Sequence, residues 1–314
     1  NCTRLLEWLH SDCGINFKTG ARLVWPQLTR SHLVTGDVQP GGAYLAMTLM
    51  KKAESLGVEV RTGNKVVALL SDPKKGNVNG VRVKNENGLS EVYAKYGVVL
   101  STGGYSANQE LVTQFIGSAG AKMPIRGSRI IAGENIVLTA PFMPKVVNVD
   151  QFHCGPIYGP TGANPLNIVN NGVCVNRQGK RFIDEGKTYV QMSREVAANT
   201  PDNWAFMVCD QTAHDIPILK NDWASYARTK APVYTGNTLE EAAKAAGIDP
   251  KALKETIEDY NEAIEDGEAM KMSPVNTLPK PPVVKKAPFY IVPFQGGMTA
   301  TFGGPLINTN GQVL

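Results

Sequence analysis

The sequence predicts a mixed α/β chain with an antiparallel sheet module, on three observations. A helix-spaced apolar segment follows Gly41-Gly42, three short alternating segments lie between residues 65 and 95, and an apolar run ends on Val98-Val99-Leu100-Ser101-Thr102-Gly103-Gly104-Tyr105. Leu45, Leu49, Ala53 and Leu56 fall on one helical face, and Gly57 is a natural stop. Val58 to Arg61 alternates as a strand would. Lys65–Asp72, Gly80–Asn85 and Glu91–Lys95, separated by Lys75-Gly76-Asn77 and Asn87-Gly88, read as a three-stranded antiparallel meander. Gly97 to Ser101 is expected to be a buried strand that delivers a turn at Thr102-Gly103-Gly104. There Thr102 is expected to cap the next segment, and the missing Cβ atoms let a bulky planar or phosphorylated ligand approach.

The first residues, NCTRLLEWLHSDCG, read as a capped amphipathic helix. Glycine, proline and aromatic residues cluster between Val147 and Gly162, and the pattern differs from there to about Pro293. Residues 173–182 predict a hairpin followed by a helix, and Ala205–Asp210 a short buried strand. Asp249-Pro250 is a helix start with Leu253, Ile257, Tyr260 and Ile264 on one face, and Ser273–Pro288, with five prolines, an extended connector.

Composition narrows the function. With 314 residues, 42% hydrophobic and 19% charged, the chain is long enough for one large or two ordinary domains with a substantial core. A net charge of +4, with scattered basic residues, argues against nucleic acid as a partner. No apolar run approaches the roughly 18 residues of a membrane span. The five dispersed cysteines lack C-x-x-C spacing, so a metal site or disulfide framework is not expected. His10, His32 and His214 have no metal-like partners, and no Walker-type phosphate loop occurs.

Several further segments carry a resemblance when taken in order: L-L-E-W-L, P-G-G-A-Y-L, K-A-E-S-L-G-V, V-V-L-S-T-G-G-Y-S-A-N, A-G-E-N-I, D-Q-F-H, V-N-R-Q-G-K-R-F-I-D-E, E-D-Y-N, P-F-Y and T-F-G-G-P-L-I-N-T. Over Leu5 to Leu314 the chain is similar to the flavoprotein superfamily of soluble fumarate reductases (flavocytochrome c-like enzymes), urocanate-type reductases and 3-ketosteroid dehydrogenases. The resemblance implies a bacterial oxidoreductase with a Rossmann-like FAD-binding domain at 1–147 and 294–314, interrupted by a capping domain at 148–293. The implied cofactor is FAD, contacted by Val66, Thr102, Gly103, Gly104, Gly303 and Gly304. The family's G-x-G-x-x-G fingerprint is not in the chain, and neither is its closing segment. The flavin domain is therefore expected to be incomplete, with poor FAD affinity and parts of the natural protein beyond both ends.

On the substrate side, the family's Arg proton donor aligns with Tyr189, four residues after Glu185. Its relay Glu and Arg align within Asn164-Pro165-Leu166-Asn167, and a carboxylate-holding His aligns with Ala300; the early His survives as His153. These changes remove charge-assisted contacts that suit a dicarboxylate, which points away from fumarate and towards a larger, less polar enone, aryl-acrylate or steroid-like substrate. The expected catalytic residues are Tyr189 as proton donor, His153, and Arg194 as an alternative acid. Tyr105 and Tyr158 are read as packing or loop-anchoring residues as much as ligand contacts. A small-molecule substrate and an unidentified electron-donor domain or protein are the implied partners, in a bacterial cytoplasm or periplasm. Two further readings stay open: an FAD-dependent ketosteroid-type dehydrogenase using a tyrosine, and a truncated relative that binds no flavin and is not catalytic.

Overall fold

In a computed structural model, residues 2–19, 32–36, 41–72 and 76–314 are described; Asn1, Pro40 and Lys75, which belong to the first helix, the P-G-G-A-Y-L segment and the first meander turn, lie outside them. The chain forms two compact units, Asn1–Val98 and Val99–Leu314.

The first unit contains α1 (Cys2–Ser11), β1 (Asn16–Thr19), β2 (His32–Thr35), α2 (Gly41–Ser55), β3 (Lys65–Ser71), β4 (Val78–Asn85) and β5 (Gly88–Tyr93). β1 and β2 pair antiparallel, and β3-β4-β5 form the expected meander. Its second turn closes at Gly88, whose φ of 107° a side chain would resist. The predicted face of α2 is half-buried at Leu45, Leu49 and Ala53, whereas Leu56 is exposed. Gly57 ends that helix with φ 79°.

Two predicted strands are corrected. Residues 58–61 form no strand, and Val58 and Val60 are exposed. The run from Gly97 to Ser101 is likewise irregular, with Val99 88% exposed. An apolar pattern alone, alternating or continuous, cannot hold a strand, because its N–H and C=O groups need a neighbouring ladder, and none of the described strands pairs with either segment.

The second unit contains α3 (Gln109–Ile116), α4 (Ser118–Ala121), α5 (Glu134–Thr139), β6 (Val146–Val147), β7 (Phe152–Ile157), β8 (Val173–Val175), α6 (Tyr189–Asn199), β9 (Ala205–Cys209), α7 (Gln211–His214), α8 (Lys220–Thr229), β10 (Tyr234–Gly236), α9 (Leu239–Ala246), α10 (Pro250–Glu265), β11 (Phe289–Thr301) and β12 (Gly304–Pro305). Its main sheet runs β10-β11-β9-β8, with β7 also paired to β11. Strand periodicity divides the core between the two faces. Cys174, Ala205, Met207, Cys209, Val292 and Phe294 join one cluster with Met192, Val196 and Tyr226 from α6 and α8. Val173, Phe206, Val208 and Ile291 join another with Leu253, Ile257 and Tyr260 of α10. The sheet is thus covered on both faces by helices. The start of α10 is as predicted: Asp249 Oδ1 accepts from Ala252 N (2.9 Å) and Pro250 occupies the first turn. Capping at the glycine pair differs: Asn108, not Thr102, caps the next helix, accepting from Leu111 N at 3.1 Å.

The R-F-I-D-E segment ties the connector to the hairpin. Arg181 and Glu185 form a buried ion pair at 2.7 Å, with side chains 7% and 0% exposed. Glu185 also accepts from Cys174 N (3.0 Å) and Asn276 Nδ2 (3.1 Å), while Arg181 donates to Pro274 O (2.9 Å). Asp184 accepts from Thr277 N and Oγ1 at 2.9 and 2.8 Å. Removing one member of a buried pair strands the other charge. Glu185→Ala is therefore expected to lower unfolding free energy by about 3–5 kcal/mol, read by denaturant titration; a loss under about 1 kcal/mol, the worth of an exposed pair, would contradict this role.

Candidate active site

α6 begins where the R-F-I-D-E segment ends. Thr188 forms a capping box with Gln191, and Tyr189 is the first helical residue. Facing it is β7, carrying Phe152, His153 and Cys154. His153 Nε2 and Tyr189 Oη are 3.1 Å apart, with the rings edge to face. Residues 36 apart in sequence are thereby joined, and both belong to the second unit.

Arg194, on the same helix, lies 4.4 Å over the Phe152 ring and donates through Nη2 to the Phe152 carbonyl; its buried Nε has no partner. A second guanidinium, which the sequence motifs did not single out, completes the cluster. Arg126 follows a backbone exchange with β11: Met298 N donates to Pro124 O (2.9 Å) and Arg126 N donates to Met298 O (2.7 Å). Its Nη1 donates to Thr299 Oγ1 (3.0 Å), at the irregular step in the β11–β7 register between Met298 and Ala300. With the Asn164 amide turned so that both of its ends are satisfied, Arg126 Nη2 donates to Asn164 Oδ1 (3.2 Å) and the amide nitrogen donates to Pro156 O (3.0 Å). Among the described residues, neither Arg126 nor Arg194 forms an ion pair with a carboxylate.

The electrostatics derive from burial and these two cations. Desolvation, then Arg126 and Arg194, hold His153 below its ordinary value, which favours neutral imidazole. Burial lowers Arg126, against the nearby Tyr189 and Cys154. Burial pushes the Cys154 thiol up to about 11, so it is a protonated core residue, with Sγ donating to Val190 O at 3.3 Å. Among the described residues, no group of three or more His, Cys, Asp or Glu is arranged to hold a metal ion.

Elsewhere in this unit, three turns converge around the glycine pair. Gly133 N donates to Gly104 O (3.0 Å), Tyr105 N donates to Thr301 Oγ1 (2.8 Å), and Gly304 lies against Asn135. A Cβ on Gly104 would strike Thr301, and one on Gly103, at φ 74°, would stand 3.1 Å from Ile131. Gly303 is pressed against the Asn148 carbonyl and Val149. The protein's own packing therefore accounts for these glycines. Two atoms it does not account for are Thr102 Oγ1 and Asn135 Oδ1, both buried without a partner. Buried polar atoms are rarely orphaned, so these two oxygens fit a polar ligand laid along the turns. Val66 lies in the first unit, on the meander face with Val81, Val83 and Val92 that borders an open groove.

Tyr105 is fully buried, donates to the Val149 carbonyl, packs edge to face on Phe115, and burial raises its phenol to about 12. Tyr158 packs between Trp204 and Tyr226. Both are structural in these surroundings.

The model of the FAD-binding domain family matches residues 1–314. The chain belongs to that family. It is 25% identical to a probable fumarate reductase, Ifc3, of Shewanella frigidimarina over 312 residues, 98% of this chain and 51% of that protein. It is 27% identical to an NADH:fumarate oxidoreductase of Klebsiella pneumoniae over 318 residues, 100% of this chain and 33% of that protein. Among solved structures, the open conformation of a flavocytochrome c3 fumarate reductase superposes with a TM-score of 0.78 at 24% identity, covering 98% of this chain and 53% of that one. The fold is thus that of the family, and the chain spans about half or less of these relatives' lengths. No helix among the described residues is long and apolar enough to cross a membrane.

The lowered His153 value predicts a pH effect on stability. The unfolded chain takes up a proton near pH 6.5, while the folded state resists it until lower pH. Stability from this residue is therefore present above about pH 6.5 and lost as pH falls below it. His153→Gln should show a shallower decline in the denaturant midpoint between about pH 7.5 and 5 than the parent chain; an unchanged decline would contradict it.

Proposed function

We propose that this chain is the catalytic part of a flavin-dependent oxidoreductase that reduces an activated carbon–carbon double bond of the enoate or enone type, fumarate not being the preferred substrate. The Tyr189–His153 pair beside two guanidiniums without counter-ions carries this reading. Family membership and the fumarate-reducing relatives support its cofactor and reaction class. In this reading 1–147 and 294–314 form the flavin domain and 148–293 the cap.

Thr102, Gly103, Gly104, Asn135, Gly303 and Gly304 would hold FAD. FAD held there, once reduced by two electrons from the electron donor, would supply the hydride equivalent for the double bond. Tyr189 gives its hydroxyl proton to the α-carbon. Neutral His153, in the Nε2–H tautomer, donates to the Tyr189 oxygen and leaves the phenolic proton free to point at substrate. After proton loss, the same imidazole N–H and the charge of Arg126 stabilise the tyrosinate. Arg194 serves better as a positioning group than as the acid, because its guanidinium is engaged by the Phe152 carbonyl and ring.

The test is the full-length protein loaded with FAD and driven by a reduced viologen dye. Tyr189→Phe should cut turnover of an enoate by roughly 10²–10⁴-fold with little change in KM and with flavin absorbance retained. Unaltered turnover would remove Tyr189 from the mechanism, and a wild-type protein that stays colourless with added FAD would favour the non-catalytic reading.

A further inference from the structure

We propose that Arg126 is the seat for a carboxylate on the substrate, which makes the preferred acceptor an α,β-unsaturated monocarboxylate and not an uncharged enone. The inference rests on the enoate-or-enone reading above and chooses between its two substrate types.

Arg126 occupies a seat built for a guanidinium. On the paired strands β7 and β11, Gly155 and Gly297 stand in register opposite each other. A Cβ on Gly155 would lie 2.9 Å from Arg126 Cζ, and one on Gly297 would lie 3.1 Å from Arg126 Cβ. A side chain at Gly155 would crowd the guanidinium, and one at Gly297 would strike Ile157 Cγ2 at 2.5 Å before pressing on Arg126. Thr299 and Asn164 hold the two terminal nitrogens from neutral oxygens, and Nε is buried without a partner. The protein thus partly desolvates a cation, holds its terminal nitrogens and, among the described residues, supplies no anion, although a buried charge without a counter-ion is costly. A planar guanidinium with N–H groups to spare matches a carboxylate in two-point contact. Arg126 is in electrostatic reach of Tyr189 and His153, so a carboxylate seated on it would bring the α-carbon, one bond from the carboxyl carbon, towards the proton donor. Arg194, the second guanidinium described in the cluster, donates to the Phe152 carbonyl and lies over the Phe152 ring. One anchored carboxylate is therefore assigned, on Arg126, and Arg194 is left to Phe152.

Calorimetric titration of the full-length protein, with FAD present and no reductant, compares trans-cinnamate with trans-cinnamamide. The wild type should bind the carboxylate more tightly. Arg126→Gln should weaken cinnamate by roughly ten- to a hundredfold and leave cinnamamide within about twofold, the difference expected for charge-assisted hydrogen bonds. Arg126→Lys should keep an intermediate preference, as a point charge without the fork, and tests the seat should the Gln variant fail to fold. Equal loss of both ligands in a folded variant, or an unchanged preference for cinnamate, would overturn the proposal. Binding is read without turnover, so a protein that binds cinnamate through Arg126 yet reduces no double bond would leave the seat standing and remove the reductase reading.

Discussion

The buried ion pair between Arg181 and Glu185 is the constraint on which the candidate site depends. Its two charges are almost fully withdrawn from water and share their remaining hydrogen-bonding capacity with Cys174, Pro274 and Asn276. This fixes where the chain leaves the β8 hairpin, and three residues later the capping box starts α6 with Tyr189 in its first position. Asp184 reinforces the arrangement by accepting from Thr277. The R-F-I-D-E motif is here a brace, and the proposed proton donor Tyr189 stands at its exit.

From that exit outward, the site is assembled by the sheet. β7 brings His153 to Tyr189, and β11 brings Thr299 to Arg126. The local environment keeps His153 neutral because burial and both guanidiniums oppose its charging. A neutral imidazole can hold a tyrosine hydroxyl in either direction, so a proton can be released towards a ligand without building a second positive charge among the arginines. Charge is instead concentrated on Arg126, whose surroundings provide oxygens but no carboxylate.

Much of the fold was legible wherever a periodic pattern coincided with a partner. The meander, β9 and α10 are cases in point: alternation at Ala205–Cys209 places Met207 and Val208 on opposite faces of a covered sheet, and Asp249-Pro250 starts α10. Val58–Arg61 alternates and Gly97–Ser101 is an apolar run, but neither has a neighbouring strand among the described residues, so their pattern misled. Tyr189 and His153 were reachable through the family-like segments that contain them. Arg126 was not, because I-R-G-S-R has the look of a polar loop. The signal that could have found it is distributed over Gly155 and Gly297, glycines whose purpose emerges only once β7 and β11 are in register. The Gly103-Gly104 pair teaches the opposite lesson: Ile131 and Thr301 explain it, and the stronger pointer to a bound cofactor is the unpartnered Thr102 hydroxyl.

The central claim is that Tyr189 and Arg126 address the two ends of one substrate fragment, the reacting carbon and its carboxylate. A crystal structure of the full-length protein with FAD and the saturated acid 3-phenylpropanoate measures this directly. The account predicts the carboxylate in two-point contact with Arg126 and the Tyr189 hydroxyl within about 3.5 Å of the adjacent carbon. A carboxylate seated away from Arg126, with Tyr189 still turned onto His153 and remote from the ligand, would contradict it.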